Sequence, residues 1–276
     1  MPICPGMSDM TPLPMNFDDR GAMLAHIAAL AGADIATLPL PDSAAGGRKA
    51  AEAALASIDP RAYAASRNHL DGAVTRLSAY IRHGVLSLDE VRNTALAAVS
   101  DAKQAEKFIQ ELAWRDYWQR VYLTYPERIW EDVEAYKTGF DASEYDPDLP
   151  ADIAAGETGV ACIDQFISML KDSGYLHNHA RMYLAAYIVH WRRVSWQAGA
   201  RFFLAHLIDG DPASNNLSWQ WIASTFANKP YIFNLENVAK YCGPDINTIP
   251  RHNLVLDQSY ERLNDLLFPN LGGIYG

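Results

Sequence analysis

Residues 206–225 read HLIDGDPASNNLSWQWIAST, and this stretch decides how the rest of the chain is interpreted. Asp209 and Asp211 flank a glycine, and Pro212 then leads into a helix predicted over 214–226. An Asp-x-Asp pattern also occurs in calcium loops, but neither the EF-hand spacing nor a bidentate glutamate follows. The stretch is better suited to anchoring a buried cation through a carboxylate, while its asparagine amides bond a heteroaromatic ring.

A cation that these carboxylates could hold lies on another predicted helix, residues 177–193. Arg181 and Asn178 stand on this helix next to the apolar run MYLAAYIVHW (182–191). Buried polar groups need hydrogen-bonding partners, so we expect a carboxylate of this stretch, Asp209 or Asp211, to anchor Arg181.

Helical periodicity dominates the chain, and no convincing run of alternating strand pattern is found. Ser87 and Glu90 form a capping-box pattern, and Gly174 stands where the end of a helix favours a glycine. The sequence therefore predicts an all-α protein with one large helical domain over 1–276, and a long acidic surface loop at 138–158. Other helices are predicted over 22–31, 48–58, 101–123, 160–170 and 196–207.

The composition is that of an ordinary globular protein, with 49% apolar and 20% charged residues among 276. This balance excludes a disordered or collagen-like chain, and no apolar run is long enough to span a membrane. The N-terminus lacks the features of a signal peptide, so a cytoplasmic protein is expected. Three widely spaced cysteines argue against a disulfide framework, a zinc site and a four-thiolate iron–sulfur cluster, and we expect no metal: Cys4, Cys162 and Cys242.

The net charge of −10 counts at first against a nucleic-acid partner, but the charge is unevenly distributed. Residues 131–157 hold nine acidic residues and a single basic one, Lys137. Residues 176–206 hold no acid but four arginines and four histidines. Two interpretations remain open: a local basic surface, or a solvated acidic loop beside a buried arginine-bearing helix.

Two further patterns have both a structural and a functional interpretation. Glu111, Trp114, Arg115 and Trp118 fall on one face of the helix predicted over 101–123. On an isolated helix, such a face is more often the edge of the core with a local ion pair. Similarly, the hydroxyls of TRLS (75–78) could bind a phosphate or merely cap a helix. No GxGxxG, P-loop or HExxH motif is found, so a nucleotide would need another architecture.

Four segments, taken in order, resemble the FAD-binding region of the DNA photolyase/cryptochrome family. They are TRLSAYIRHGVLS (75–87), ELAWRDYW (111–118), YLHNHARM (175–182) and HLIDGDPASNNLSWQWIAST (206–225). The resemblance covers residues 46–242, and its last two segments are the most specific. It implies a photolyase/cryptochrome-type FAD-binding helical domain with FAD as cofactor. The tails 1–40 and 244–276 could pack loosely, and no antenna domain is expected.

The resemblance assigns cofactor contacts residue by residue. One segment surrounds the FAD phosphates, and further residues line the flavin, with Arg181 and Asp209 as a buried pair beside the ring and Asn215 facing flavin N5. Phe108 stands where the family often has a tryptophan. The phosphate segment is Tyr63, Thr75, Arg76, Leu77 and Ser78; the remaining contacts are Phe108, Arg115, Asn178, Arg181, Asp209, Asp211 and Asn215.

Electron transfer to the flavin is assigned in the same way. Trp219 and Trp196 match the proximal and middle tryptophans of the family's electron-transfer chain. The distal tryptophan has no clear match, and Tyr145 and Trp191 remain alternatives.

Five residues match those that cradle a cyclobutane pyrimidine dimer in repair enzymes: Glu111, Trp114, Asn178, Met182 and Trp221. Glu111 would bond the dimer bases, and the two tryptophans would form an aromatic wall. The (6-4) repair branch has a histidine where Asn178 stands, so the resemblance implies cyclobutane-dimer repair. A light-sensing cryptochrome without repair activity and a light-independent flavoprotein or interaction module are the alternatives.

The chain departs from the family after Thr225, where 226–234 replaces a longer loop with a DNA-holding arginine. Lys229 could partly substitute for it. Together with the acidic composition, this predicts weak duplex binding and a preference for single-stranded DNA containing pyrimidine dimers. A separate antenna protein or a signalling partner is a further possibility. The candidate phosphate contacts are Arg67, Arg192, Arg193 and Lys229.

Overall fold

The computed structural model describes residues 16–31 and 45–271. The chain forms two compact units, Met1–Pro41 and Asp42–Gly276. In the first unit, helix α1 (Arg20–Ala31) begins where Oδ1 of Asp19 accepts a 2.8 Å hydrogen bond from the Ala22 backbone N–H. This helix agrees with the one predicted over 22–31.

The second unit contains the candidate site, and its regular elements are helices. Its described part contains no β-strand, and Asp146 and Val194 form an isolated β-bridge. The all-α prediction is confirmed. The helices are α2 (Arg48–Ala56), α3 (Pro60–Ser66), α4 (Ser78–Arg82), α5 (Leu88–Ala97), α6 (Glu106–Thr124), α7 (Ala151–Ala155), α8 (Ala161–Ser173), α9 (Asn178–Ala186), α10 (Trp196–His206), α11 (Pro212–Ala223), α12 (Leu235–Cys242) and α13 (Tyr260–Leu267).

Local capping chemistry sets several of these boundaries. The Ser87 hydroxyl accepts from the Glu90 backbone N–H at 3.1 Å, and the Glu90 carboxylate accepts from the Ser87 N–H at 2.8 Å, so the predicted capping box is confirmed. Gly174 ends α8 with φ 62°, a left-handed conformation that favours glycine. Helix α11 begins earlier than predicted because Asp211 caps it and Pro212 occupies its first turn.

Two predicted helices are broken into shorter elements. Asp101 accepts from the Lys103 N–H at 3.0 Å and so caps a 3₁₀ turn, Ala102–Ala105, before α6 starts at Glu106. The helix predicted over 177–193 leaves α-geometry at Tyr187 and continues as a π-turn through Trp191. Periodicity alone does not distinguish an α-turn from these tighter or wider turns.

The main hydrophobic core joins α8, α9, α10, α11 and α12. Phe166, Tyr183, Trp196 and Phe233 have no exposed side-chain surface in it. A second cluster joins α2 and α5 to α6 through Phe108. A third buries Leu263, Leu267 and Phe268, so the described part of 244–276 has its own packed residues. In the described part of the chain, no helix is both long and apolar enough to cross a bilayer.

The stretch 138–158 is less of a surface loop than predicted. Thr138 and Tyr145 are buried, and α7 lies near its end. The Asp146 backbone pairs with the segment before α10, donating to the Arg193 carbonyl at 2.7 Å and accepting from the Ser195 N–H at 2.8 Å. Backbone pairing and aromatic burial therefore anchor this acidic stretch, and composition alone does not reveal either.

Candidate cofactor and substrate site

Arg181 and Asp209 form the predicted pair at the centre of the site. Nη2 of Arg181 donates to both carboxylate oxygens of Asp209 at 3.0 and 2.9 Å, and the Ser78 hydroxyl donates to the same carboxylate at 2.6 Å. Burial raises the pKa of Asp209, but the Arg181 charge and these hydrogen bonds outweigh that effect and hold the pKa below its usual value. The pair links α4 to α9 and the turn before α11.

Next to this pair, a cavity of about 160 Å³ brings together residues that are far apart in sequence. Seven of the predicted site residues line it, together with Ile81, Val91 and Leu112. The seven are Tyr63, Thr75, Leu77, Ser78, Phe108, Glu111 and Arg115. Helices α3, α4, α5 and α6 therefore converge on one cavity, as the predicted cofactor site requires.

Arg115 supplies a cation to this cavity. Burial lowers the pKa of its guanidinium, and the charges of Asp211 and Asp209 oppose that shift. Among the described residues, no carboxylate lies within ion-pair distance of Arg115. A half-buried guanidinium of this kind is suited to binding an anionic ligand.

Asp211 is held by a residue that the sequence did not single out. Gln119 Nε2 on α6 lies 2.8 Å from both Asp211 carboxylate oxygens, and Ser214 donates to the carboxylate through its backbone N–H and hydroxyl. Gln119 follows Arg115 by four residues, so it lies on the same helix face. That spacing was the available signal for this contact.

Arg76 and Arg181 both lie close to the ring of Tyr175. The guanidinium carbon of Arg76 is 4.7 Å from the ring centroid, and that of Arg181 is 5.9 Å from it. Arg76 adopts φ 53°, an uncommon conformation for a residue with a side chain. Tyr175 therefore contacts two cations of the site, a role that its sequence pattern did not indicate.

Asn215 and Asn178 occupy different settings. Nδ2 of Asn215 donates to the Ala200 carbonyl at 3.1 Å and to Oδ1 of Asn216 at 2.9 Å, which attaches it to α10. Asn178 is exposed at the start of α9 and lies 3.5 Å from Sδ of Met182. Asn215 is thus held in one orientation, while Asn178 remains open to a ligand.

Glu111 has two cationic partners. Its Oε1 lies 3.2 Å from Nη1 of Arg67 and 2.9 Å from Nζ of Lys107. No Glu111–Arg115 ion pair forms within the described structure, so the local pair considered for this helix face is not observed. Because Glu111 also lines the cavity, its carboxylate stands where the predicted cofactor and substrate regions meet.

The two predicted wall tryptophans are both exposed. Trp114 on α6 is 51% exposed and Trp221 on α11 is 42% exposed. Trp114 stacks on Trp118 at 5.3 Å between ring centroids, and Trp221 lies 5.7 Å from Tyr231. Exposed tryptophans on packed helices are candidates for ligand contact rather than core anchors.

Trp219 and Trp196 are fully packed inside the protein. The ring centroids of Trp219 and Phe203 are 4.8 Å apart. A Cβ atom placed on Gly199 would lie 2.2 Å from the Trp219 ring. Trp196 lies one helical turn before Gly199 on α10, so Trp219 packs against the same helix as Trp196. Trp219 Nε1 is buried without a hydrogen-bond partner among the described residues.

The two candidates for the distal donor have different surroundings. Tyr145 stacks on Tyr136 with ring centroids 4.2 Å apart, and the Trp196 backbone hydrogen-bonds to the Tyr136 phenol. Trp191 instead donates its indole N–H to the Val255 carbonyl at 3.1 Å. The connection to Trp196 favours Tyr145, with Tyr136 between them.

The four candidate phosphate contacts differ in whether their side chains are free to bind a ligand. Arg192 pairs with Asp152 at 2.7 Å, and Arg193 lies 3.7 Å above the Phe140 ring and donates to the Leu267 carbonyl. Both guanidinium groups have intramolecular partners, which counts against the predicted phosphate contacts of Arg192 and Arg193. Arg67 forms an ion pair with Glu111. Lys229 is exposed and has no ion pair among the described residues.

A histidine cluster was missed by the sequence interpretation. The ring of His179 lies 6.2 Å from that of His177 and stacks on Tyr241 at 5.1 Å. Burial lowers the pKa of His177 to about 4, and His179 adds to the shift. Both imidazoles are therefore expected to be neutral near neutral pH, which explains why α9 tolerates them beside Arg181.

Comparison with known proteins identifies this arrangement. Residues 108–253, more than half of the chain, match the family model described as the FAD binding domain of DNA photolyase. The chain belongs to the DNA photolyase family. The resemblance seen in the four sequence segments is confirmed, as is FAD as the cofactor of this domain.

Named relatives of this photolyase-family chain include two deoxyribodipyrimidine photo-lyases. The protein from Streptomyces griseus is 35% identical over 153 residues, covering 55% of this chain and 32% of the relative. The one from Escherichia coli strain K12 is 30% identical over 176 residues, covering 59% and 35%. The chain thus spans about a third of the length of these relatives.

Solved structures confirm the photolyase/cryptochrome fold. A photolyase from Sulfolobus tokodaii, determined with two FAD molecules, superposes with a TM-score of 0.66 at 24% identity, covering 85% of this chain and 58% of that one. A cryptochrome from Synechocystis sp. PCC6803 superposes with a TM-score of 0.63 at 21% identity, covering 74% and 46%. Both branches share the fold, so the fold alone does not separate repair from light sensing.

The residues of this photolyase-family domain fit FAD. The cavity presents the Arg115 guanidinium, without an ion-pair partner among the described residues, and the Thr75 hydroxyl, whereas the Ser78 hydroxyl donates its proton to Asp209. A guanidinium and a hydroxyl are donors suited to the anionic and polar oxygens of FAD. The Arg181–Asp209 pair supplies a buried donor and acceptor that can meet the polar edge of a flavin ring.

Proposed function

We propose that the chain catalyses light-driven repair of cyclobutane pyrimidine dimers, preferentially in single-stranded DNA. The observation that carries this proposal is the position of Glu111. Its carboxylate lines the cavity of the cofactor residues and lies on the same helix face as the exposed Trp114. A dimer held there would lie next to the cofactor.

The chain's own residues would bind and orient FAD. The segment 75–78, with the Thr75 hydroxyl, would hold its phosphates, Arg115 and the Arg181–Asp209 pair would hold the flavin ring, and Asn215 would approach it from α11. When bound and reduced, the flavin supplies an electron on illumination, which the protein itself cannot provide. The buried Asp209 carboxylate is kept ionised by Arg181, so the ring meets a fixed pattern of donors and acceptors.

Dimer recognition would require the damaged bases to leave the base stack. Unstacking costs least for a lesion that pairs poorly, which favours extrusion of the dimer. Trp114 and Trp221 would then pack against its apolar surface, and the Glu111 carboxylate would accept hydrogen bonds from base N–H groups. Asn178 and Met182 on α9 would complete the pocket.

The preference for single strands follows from the few available cations. Arg192 and Arg193 have internal partners, and Lys229 follows α11 as an isolated exposed cation. Affinity for duplex DNA depends on contacts with its dense phosphate charge, whereas a single strand can also contribute its bases. We therefore expect weak duplex binding with a shallow dependence on salt.

The cofactor would be reduced through the protein interior. We propose that one electron moves inward from Trp196 to Trp219, and that the stacked Tyr136–Tyr145 pair refills Trp196. The tyrosine that loses an electron also releases its phenolic proton, and an external thiol restores both. Asp132, whose carboxylate accepts from the Trp196 indole at 2.6 Å, stabilises positive charge at that position.

The test uses purified protein loaded with reduced FAD and an oligothymidine that carries cyclobutane dimers. Recovery of thymine absorbance under blue or near-UV light, abolished by Glu111→Ala, is the expected result. A control variant, Gln110→Ala, removes an exposed side chain from the same helix and should repair normally. Absence of recovery on both single and double strands would rule out repair.

A cryptochrome-like light sensor is the second candidate. The buried Trp219 and Trp196 would serve photoreduction in a sensor as well, and the acidic chain favours a protein partner over DNA. This candidate predicts photoreduction without recovery of thymine absorbance, and a partner whose binding differs between light and dark. Protein purified without FAD would instead favour a light-independent role.

A further inference from the structure

Four aromatic rings form a continuous surface cluster, which we call the aromatic platform: Trp114, Tyr117, Trp118 and Phe226. On α6, the centroids of Trp114 and Tyr117 are 5.7 Å apart, those of Trp114 and Trp118 5.3 Å, and those of Tyr117 and Trp118 5.0 Å. Phe226, just after α11, extends the cluster with its centroid 5.7 Å from Trp118. Only Trp114 has been assigned to the dimer pocket.

The platform is open to solvent. Trp114 is 51% exposed and Tyr117 is 45% exposed. Trp118 and Phe226 are half-buried. Several large rings exposed together on a stable helix are unusual in a monomer and mark a binding surface. The Tyr117 ring contacts Trp114 and Trp118, both members of the platform.

The charges beside the platform are opposite to those of the whole chain. Four basic residues stand on α6 or just after α3 and α11, and three of them pair with Glu111 or Asp116, which leaves an excess of two positive charges: Arg67, Lys107, Arg120 and Lys229. The whole chain carries a net charge of −10. A polyanion is therefore repelled less beside the platform than by the chain as a whole.

We propose that the aromatic platform stacks unpaired bases of single-stranded DNA beside the dimer pocket. This inference rests on the proposed function, since it extends the same site. Every base presents a flat aromatic face, so stacking is tolerant of sequence, and nearby cations can follow the phosphates. In a duplex those faces are covered by neighbouring base pairs, which makes the platform selective for single strands.

The experiment measures binding of undamaged, fluorescein-labelled oligothymidine of about ten nucleotides, within the range of single-strand sites. Tyr117→Ala and Phe226→Ala should each weaken binding about tenfold, because base–aromatic stacking contributes at that level. Tyr117→Phe keeps the ring and should bind normally. Tyr260→Ala removes a 40% exposed ring from α13 and is the matched control.

A second oligonucleotide separates bases from phosphates. An abasic strand of the same length keeps the backbone charge but lacks bases, so it should bind more weakly to the wild type. Tyr117→Ala should not weaken that binding further. Equal losses on both strands, or unchanged binding of oligothymidine by Tyr117→Ala and Phe226→Ala, would overturn the inference.

Two additional measurements follow the folding and the self-association of the variants. Circular dichroism and thermal unfolding verify that the variants fold. Analytical ultracentrifugation detects self-association; a platform that instead buries itself in a second copy of the chain would show dimers that Tyr117→Ala dissociates, and this result would also overturn the inference.

Failure of this inference and failure of the proposed function are distinguishable. If the platform variants bind oligothymidine normally while dimers are repaired, only the inference fails. If the platform variants lose affinity for undamaged strands as predicted but the wild type repairs no dimer, only the proposed function fails.

Discussion

In the interior of the protein, Nε1 of Trp196 donates a 2.6 Å hydrogen bond to Oδ1 of Asp132. Trp196 has no exposed surface, and its partner Asp132 is partly buried, so the indole is in direct contact with a negative charge. A carboxylate in this position stabilises a positive charge on the ring. Oxidation of Trp196 should therefore depend on the charge of Asp132.

Asp132→Asn should reduce the yield of cofactor photoreduction about tenfold, corresponding to about 1.4 kcal/mol. The asparagine carbonyl can still accept the indole hydrogen bond, but it carries no negative charge. Transient absorption of the oxidised tryptophan measures the effect directly. Trp196→Phe should eliminate the signal of this residue, and Asp148→Asn, elsewhere in the acidic stretch, should leave the yield unchanged.

The Arg181–Asp209 pair should matter for stability as well as for cofactor binding. Arg181→Ala leaves the buried Asp209 carboxylate unpaired and should lower the free energy of unfolding by about 3 kcal/mol. Urea unfolding gives the value. The exposed Arg120–Asp116 pair is the control, because Arg120→Ala should cost less than about 1 kcal/mol. Equal losses would contradict the central role of Arg181.

Gly199 should not tolerate a side chain. A Cβ atom there would lie 2.2 Å from the Trp219 ring, so Gly199→Ala should destabilise the protein by about 1–3 kcal/mol and displace the indole. Thermal unfolding and tryptophan fluorescence report the two effects. Gly46→Ala is matched, because no atom lies within 4 Å of its added Cβ, and it should be within about 0.5 kcal/mol of wild type.

Stability should fall as the solution is acidified below the ordinary pKa of histidine. Burial lowers the pKa of His190 to about 3, from 6.5, so between these values the unfolded chain binds a proton that the folded protein does not. His190 therefore contributes a loss of at most about 1.4 kcal/mol per pH unit as the pH falls. His177, with a pKa of about 4, contributes in the same direction.

The pH prediction is tested by urea unfolding at several pH values. His190→Gln can retain a hydrogen bond to the Ile222 carbonyl but does not titrate, so its stability should change less steeply between pH 6.5 and 4. His83→Gln, which replaces a histidine at the surface, should keep the wild-type slope. A wild-type slope in His190→Gln would show that His190 does not control this dependence.

The sequence predicted the main elements of the fold because their signals are local. Ser87 and Glu90 specify a helix start through groups three residues apart, and Gly174 specifies a helix end through its own backbone. The start of α6 was placed too early because the short 3₁₀ turn after Asp101 satisfies the same capping pattern as an α-helix. Local patterns identify an element more reliably than its first residue.

Part of the site was also accessible from the sequence. Arg181 on an apolar helix requires a buried acid; the stretch 206–225 offered Asp209 and Asp211, and the family resemblance pointed to Asp209. The same reasoning did not find Gln119 or Tyr136, because neither residue type is unusual in a helix or a loop. Their contacts with Asp211 and Trp196 depend on segments that meet only after folding.

The sequence by itself therefore determined that the protein is helical, which family it belongs to, and that Arg181 needs a carboxylate partner. Only the tertiary structure decided which charged groups remain available. The sequence predicted phosphate contacts for Arg192 and Arg193. In the structure, Arg192 pairs with Asp152, and Arg193 lies over the Phe140 ring and donates to the Leu267 carbonyl. The physical reason is that periodicity and capping act within a few residues, whereas burial and ion pairing depend on which distant segments the fold brings into contact.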